Sequence, residues 1–292
     1  MKRVQVVTDS TADIPAQWAA ELNITVVPCL IYDGAEVFRD RIDISPEAFF
    51  QRLATSPELP RTSQPPIRDF VQTYQDILRR DGGTGIVSIH VPGRFSGTVN
   101  AAWAAAQEMA DPSRIEIVDS GTVSMGMGWI VVEAARLAQT GASLEEVSQA
   151  ARSLLHRSKT AAMIDTLDNL YRGGRISQVS ALLGSALQIK PLISLEGGEA
   201  TVWGKVRTRK RALRRLAEEV QSWGPLAEMA VLHIAAEELA RELAALLGDR
   251  VPAERLLFQA AGPALATHLG LGAVGVCGLR AAEGRNSDHV QA

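Results

Sequence analysis

Strand and helix signals alternate through the first half of this chain, and that alternation constrains its fold more than any other feature. Arg3 to Val7 reads as a short buried strand. Asp13-Ile14-Pro15 then starts a helix, with Asp13 as N-cap and a proline close behind. Ile24 to Ile31 reads as a second strand, followed by a polar excursion from Asp33 to Asp43 and a helix near Pro46 to Leu53. Pro60-Arg61-Thr62-Ser63-Gln64-Pro65-Pro66 must be an extended loop, because successive prolines bar the helical region. A helix from Ile67 to Arg80, a strand from Ile86 to Val91 and an Ala-rich helix from Gly97 to Met109 come next. A strand from Arg114 to Val118 and a helix from Val123 to Gln139 complete the series. Strands spaced by helices imply a parallel sheet covered on both faces.

The second half is less regular. Gly141-Ala142-Ser143 ends one helix and caps another, Leu144 to His156, and the chain is expected to change domain near Ser158. Thr160 to Ile164 reads as a strand, and Asn169 to Arg175 as a helix end with a glycine cap. Leu187 to Leu195 and Ala200 to Val206 flank Glu196-Gly197-Gly198-Glu199, the pattern of a hairpin. A helix from Arg209 to Val220, a strand from Met229 to Ile234 and a helix from Glu237 to Leu247 follow. Leu256 to Phe258 and Val274 to Leu279 are further strands. The expected architecture is therefore α/β in two domains. Residues 1–157 form an N-terminal α/β domain with a mainly parallel sheet, and residues 158–280 a C-terminal α+β domain with a mixed sheet. Residues 281–292 form a loose polar tail.

Composition excludes several classes. At 46% hydrophobic and 22% charged the chain has enough apolar side chains to fold. No apolar run approaches the ~18 residues of a bilayer span, and Glu133 closes the most apolar stretch, Val123 to Val132. The apolar segment after Met1-Lys2-Arg3 is too short for a signal peptide, so a cytoplasmic location is expected. A net charge of −3 argues against nucleic acid as a partner. Cys29 and Cys277 are not expected to pair in a reducing compartment. The five histidines show no metal spacing, no dinucleotide or P-loop motif occurs, and neither metal nor cofactor is expected.

The chemistry-bearing residues fall into a few groups. Asp9-Ser10 and Asp119-Ser120 each follow a strand, where an open α/β sheet places its ligand crevice, or where Asp and Ser simply form turns. Ser96-Gly97-Thr98 opens a helix after a strand, which suits a carboxylate or phosphate, or a plain N-cap. Thr62 and Ser63 add hydroxyls on a proline-stiffened loop, as ligand donors or as another cap. His268, in a glycine-rich loop, could donate to an anion or serve structure alone. Ser96, Asp119 and His268 also follow the chain order of an α/β-hydrolase triad, although the glycines are misplaced for a nucleophile elbow. Lys205 to Arg215 holds seven basic residues among eleven, a solvated helix face or a docking face for an acidic partner.

Taken in order, Thr8-Asp9-Ser10-Thr11-Ala12-Asp13, Arg61-Thr62-Ser63-Gln64-Pro65, Phe95 to Ala102 and Val118-Asp119-Ser120 resemble the DegV family of bacterial fatty-acid-binding proteins. Leu170-Tyr171-Arg172-Gly173-Gly174-Arg175, Lys190-Pro191-Leu192-Ile193 and Thr267-His268-Leu269-Gly270 continue the likeness. The family usually carries Leu where this chain has Phe95, and G-P-G where it has Gly270-Leu271-Gly272. The resemblance implies a non-enzymatic carrier with a long-chain fatty acid held between two domains. It assigns the carboxylate to Thr62, Ser96 and His268, with Ser63, Gly97, Thr98, Asp9, Ser10 and Asp119 in support. It also implies a fatty acid kinase subunit as partner, with Arg172 and Arg175 as docking candidates, a transient membrane encounter and a monomeric carrier. Asp9 and Asp119 are expected to orient loops or the donors and not to touch a carboxylate, since like charges repel. The alternative reading is a serine esterase using Ser96, Asp119 and His268.

Overall fold

A computed structural model describes residues 3–80, 84–175, 179–180 and 189–282. The elements of the first half, in chain order, are β1 (Gln5–Asp9), α1 (Ala16–Glu21), β2 (Ile24–Val27), β3 (Leu30–Asp33), β4 (Glu36–Arg39) and α2 (Pro46–Thr55). They continue with β5 (Arg61–Ser63), α3 (Ile67–Arg80), β6 (Ile86–His90), α4 (Thr98–Gln107), β7 (Ile115–Asp119), α5 (Met125–Gln139) and α6 (Leu144–Leu154). The second half contributes β8 (Ser158–Met163), α7 (Asp168–Arg172), β9 (Val179–Ser180), β10 (Lys190–Glu196) and β11 (Glu199–Val206). After them come α8 (Arg209–Ser222), β12 (Leu226–His233), α9 (Glu237–Leu247), β13 (Leu256–Ala260), α10 (Pro263–Leu269) and β14 (Val274–Arg280).

Strands β2-β1-β6-β7 form a wholly parallel sheet. β13-β12-β14-β8-β10-β11-β9 form a mixed sheet that begins at Ser158. Its β10–β11 hairpin turns at Gly197 and Gly198, both at positive φ, as a two-residue turn matching strand twist requires. Helices α3 and α4 cover the outer face of the parallel sheet. Helices α8 and α9 cover the outer face of the mixed sheet; α8 buries Ala212, Leu213, Leu216 and Val220, while Arg209 of the basic segment pairs with Asp165. Between the sheets lies α5, which touches β1 on one side and β8 and β14 on the other. Trp129 of α5 donates its indole N–H to the carbonyl of Cys277 on β14.

Four local expectations are corrected. Ile24 to Ile31 is two strands in two different sheets, because Pro28 cannot donate to a continuing ladder. The polar excursion holds a hairpin: β3 and β4 pair antiparallel around Gly34 at φ +61. The proline-rich loop contains β5, which completes this small sheet through Ile31 and Thr62. Asp13 is not an N-cap; it is buried at φ +55, and Pro15 precedes α1. Cys29 and Cys277 are both buried and free.

Candidate functional site

Thr62 sits in β5 opposite Ile31, whose side chain is wholly buried, so strand alternation turns Thr62 inward. There its Oγ1 lies 2.7 Å from Nε2 of His268. His268 was expected in a loop; it occupies the last turn of α10, helical because Pro263 fits the first position of a helix and Gly270 at φ +78 ends it. Burial, assisted by the charge of Arg175, lowers the His268 pKa to about 4. The imidazole is therefore neutral at neutral pH. Its Nδ1 is buried with no partner among the described residues. A proton there would be stranded, so the pattern assigns it to Nε2, donating to Thr62 Oγ1. The hydroxyl proton of Thr62 is then free to donate elsewhere.

Ser96 precedes α4, where Gly97 rather than Ser96 is the N-cap. The Ser96 Oγ accepts from the backbone N–H of Thr98 and shares a 2.8 Å bond with its hydroxyl. Gly97 is constrained from outside: a Cβ there would lie 2.1 Å from Oε1 of Gln64. The R-T-S-Q-P loop thus rests on the S-G-T turn through Gln64, a contact that sequence reading did not single out although the motif contains the residue. Gly173 is a second close approach, since a Cβ would lie 2.7 Å from Nδ1 of His268. Asn169 adds a bond from Nδ2 to the carbonyl of Thr267. The segment around Arg175 therefore backs the imidazole.

These groups border a cavity of about 290 Å³. Thr62, Ser63, Gln64, Ser96, Arg175 and His268 line it, and the remaining wall is largely aliphatic, including Val91, Leu170, Ile193, Leu195, Leu232 and Ile234. Arg175 is half-buried, with Nε donating to the carbonyl of Phe95 and Nη1 to that of Gly173. Arg172 and Tyr171 face solvent, Tyr171 at 73% exposure. The two arginines read as one docking pair thus occupy different environments.

Asp9, Ser10 and Asp119 lie outside the cavity wall. Asp9 is wholly buried and accepts from the backbone N–H groups of Thr11 and Val91, while His90 Nδ1 lies 3.0 Å away. Ser10 accepts from the N–H of Cys29. Asp119 accepts from the N–H groups of Gly93 and Gly121. Each shapes a loop after a parallel strand. The hydrolase contacts are not made: Ser96 bonds Thr98, Asp119 bonds backbone, and no carboxylate meets His268 Nδ1. Among the described residues no cluster of His, Cys, Asp or Glu is arranged to hold a metal ion, and no helix is long and apolar enough to cross a membrane.

The fold that carries this cavity, a parallel and a mixed sheet on either side of α5, is shared with known proteins. The chain belongs to the DegV family, whose model matches residues 3–281. Protein DegV of Bacillus subtilis is 33% identical over 278 residues, covering 94% of this chain and 98% of that one. A DegV domain-containing protein of Streptomyces coelicolor is 38% identical over 278 residues, with the same coverage. Among solved structures, a fatty-acid-binding DegV family protein from Thermus thermophilus matches with a TM-score of 0.86 at 32% identity, covering 96% of this chain and all of that one. DegV from Bacillus subtilis, a fatty acid binding protein, matches with a TM-score of 0.85 at 30% identity over the same shares.

Proposed function

We propose that this protein is a carrier that binds a long-chain fatty acid and presents its carboxylate to a fatty acid kinase subunit. The observation that carries the reading is the Thr62–His268 pair in the wall of a largely apolar cavity. Thr62 and Ser96 supply hydroxyl donors, His268 orients Thr62, and the half-buried Arg175 offsets the negative charge. The acyl chain supplies most of the affinity. Each buried methylene is worth about 0.8 kcal/mol, so a sixteen-carbon acid gains on the order of 10 kcal/mol before the costs of association. Residues 1–157 and 158–280 act as the two walls, and the carrier works as a cytoplasmic monomer that meets membranes transiently and does not bind nucleic acid. The carrier performs no chemistry itself; the phosphate donor belongs to its partner.

Native mass spectrometry after mild purification is the first test, with a retained long-chain acid as the expected result. A protein that neither retains nor takes up hexadecanoic acid would retire the proposal. Thr62→Ala and Ser96→Ala should each weaken binding by about 1–3 kcal/mol in a titration, the usual cost of one charge-assisted hydrogen bond. Arg172→Ala should leave that affinity unchanged and slow phosphorylation of the bound acid when kinase subunit and ATP are added; an unchanged rate would remove Arg172 from the docking surface.

A further inference from the structure

Helix α10 carries His268 but cannot cap its own start, because Gly262 has no side chain to offer. The cap arrives from the far end of the chain. Oδ1 of Asp13, fully buried, accepts from the N–H of Gly262 at 2.8 Å and from Nη2 of Arg41 at 2.7 Å. Oδ2 accepts from the hydroxyl of Ser124 at 2.6 Å. Arg41 also donates to the carbonyl of Ala260, and Gln259 to the carbonyl of Asp13. Gly262 must be glycine here, since a Cβ would come within 2.9 Å of Asp13 Oδ1 and 2.8 Å of Arg41 Nε.

The backbone is strained at this point. Five non-glycine residues among those described have positive φ, and three of them, Asp13, Arg41 and Ser124, meet at this one carboxylate. Strain of that kind persists only where the surroundings over-determine it, and it gathers at sites where position matters. Ser124, Ala261 and Ala264 beside the cluster line the cavity.

We infer that Asp13, held by Arg41, is a positioning residue for the carboxylate site: it fixes the start of α10 and so holds His268 against Thr62. This rests on the carrier reading above. A seven-residue helix transmits a shift at Gly262 directly to His268, and a 2.7 Å contact tolerates little displacement.

The test compares hexadecanoic acid with its methyl ester, which keeps the chain and removes the charge. Wild-type protein should prefer the acid. His268→Ala and Asp13→Asn should each cut that preference about tenfold, and the double variant should lose no more than either alone, the signature of two residues acting through one contact. A merely structural Asp13 would weaken acid and ester alike and add to the His268 loss, and either result overturns the inference. If Asp13→Asn does not fold, Arg41→Gln acts on the same carboxylate, and an unchanged acid-to-ester ratio there is equally fatal. Wild-type protein that binds neither ligand, or both equally, defeats the carrier reading and this inference together. Normal wild-type selectivity with an unaffected Asp13→Asn protein defeats this inference alone.

Discussion

Thr62 and His268 stand far apart in the chain, yet the donor geometry depends on their contact. A second buried group, Asp40, turns this residue-level chemistry into a pH prediction. Burial raises the Asp40 pKa to about 7, while burial lowers that of His268 to about 4. Below pH 6.5 the unfolded chain protonates His268 and the folded chain does not, so stability from this residue falls as pH drops toward 4. Asp40 has the opposite sign: above pH 4 the unfolded chain loses its proton and the folded chain keeps it, so stability falls as pH rises toward 7. Each effect is on the order of 3 kcal/mol, and the two oppose across roughly pH 4 to 6.5. Denaturant melts should show Asp40→Asn protein gaining stability with rising pH over that window, and His268→Gln protein losing it. Parallel profiles for both variants would show that neither group titrates as described. At this scale the sequence offered Thr62 and His268 as candidates and the structure brings the two together, but their states were not legible. The neutral imidazole, its proton on Nε2 and the turn of Asp13 away from capping α1 all depend on burial and distant partners.

At the level of elements, regular periodicity was the reliable guide. Helices α3, α5, α8 and α9 and the Gly197-Gly198 hairpin stand within a few residues of their expected limits, because their patterns are long or their turn chemistry strict. The errors fell on short elements whose existence is decided elsewhere. The β3–β4 hairpin and β5 support one another, and α10 depends on the cap supplied by Asp13. Gly97 offers an element-level test. Its φ of −72° suits alanine, and Gly→Ala at a compatible position stabilises by about 0.4–1 kcal/mol. Here the new Cβ must displace the exposed Gln64 side chain from its seat over α4. Gly97→Ala protein should melt at an unchanged or slightly higher temperature while its affinity for hexadecanoic acid falls several-fold. A loss of stability without loss of affinity would show that Gln64 plays no part in holding the loop.

The whole molecule is organised around α5. Eleven of its fifteen residues are buried, and its glycines face opposite ways: Gly126 meets Thr160 of β8, and Gly128 meets the carbonyl of Ala12 beyond β1. Each sheet therefore uses α5 as the inner layer of its own core. A Cβ at Gly126 would sit 2.3 Å from Thr160 Oγ1, so Gly126→Ala should cost about 1–3 kcal/mol by overpacking. Calorimetry should show one transition moving to lower temperature as a unit. Two separated transitions would mean the halves unfold independently. The alternation of strands and helices announced a parallel sheet, and the hairpin a mixed one, but nothing local to Val123–Gln139 says that one helix serves both. That shared helix ties the two sides of the chamber together. Both sheets lean on one spar, so a substitution in α5 is felt in both walls at once.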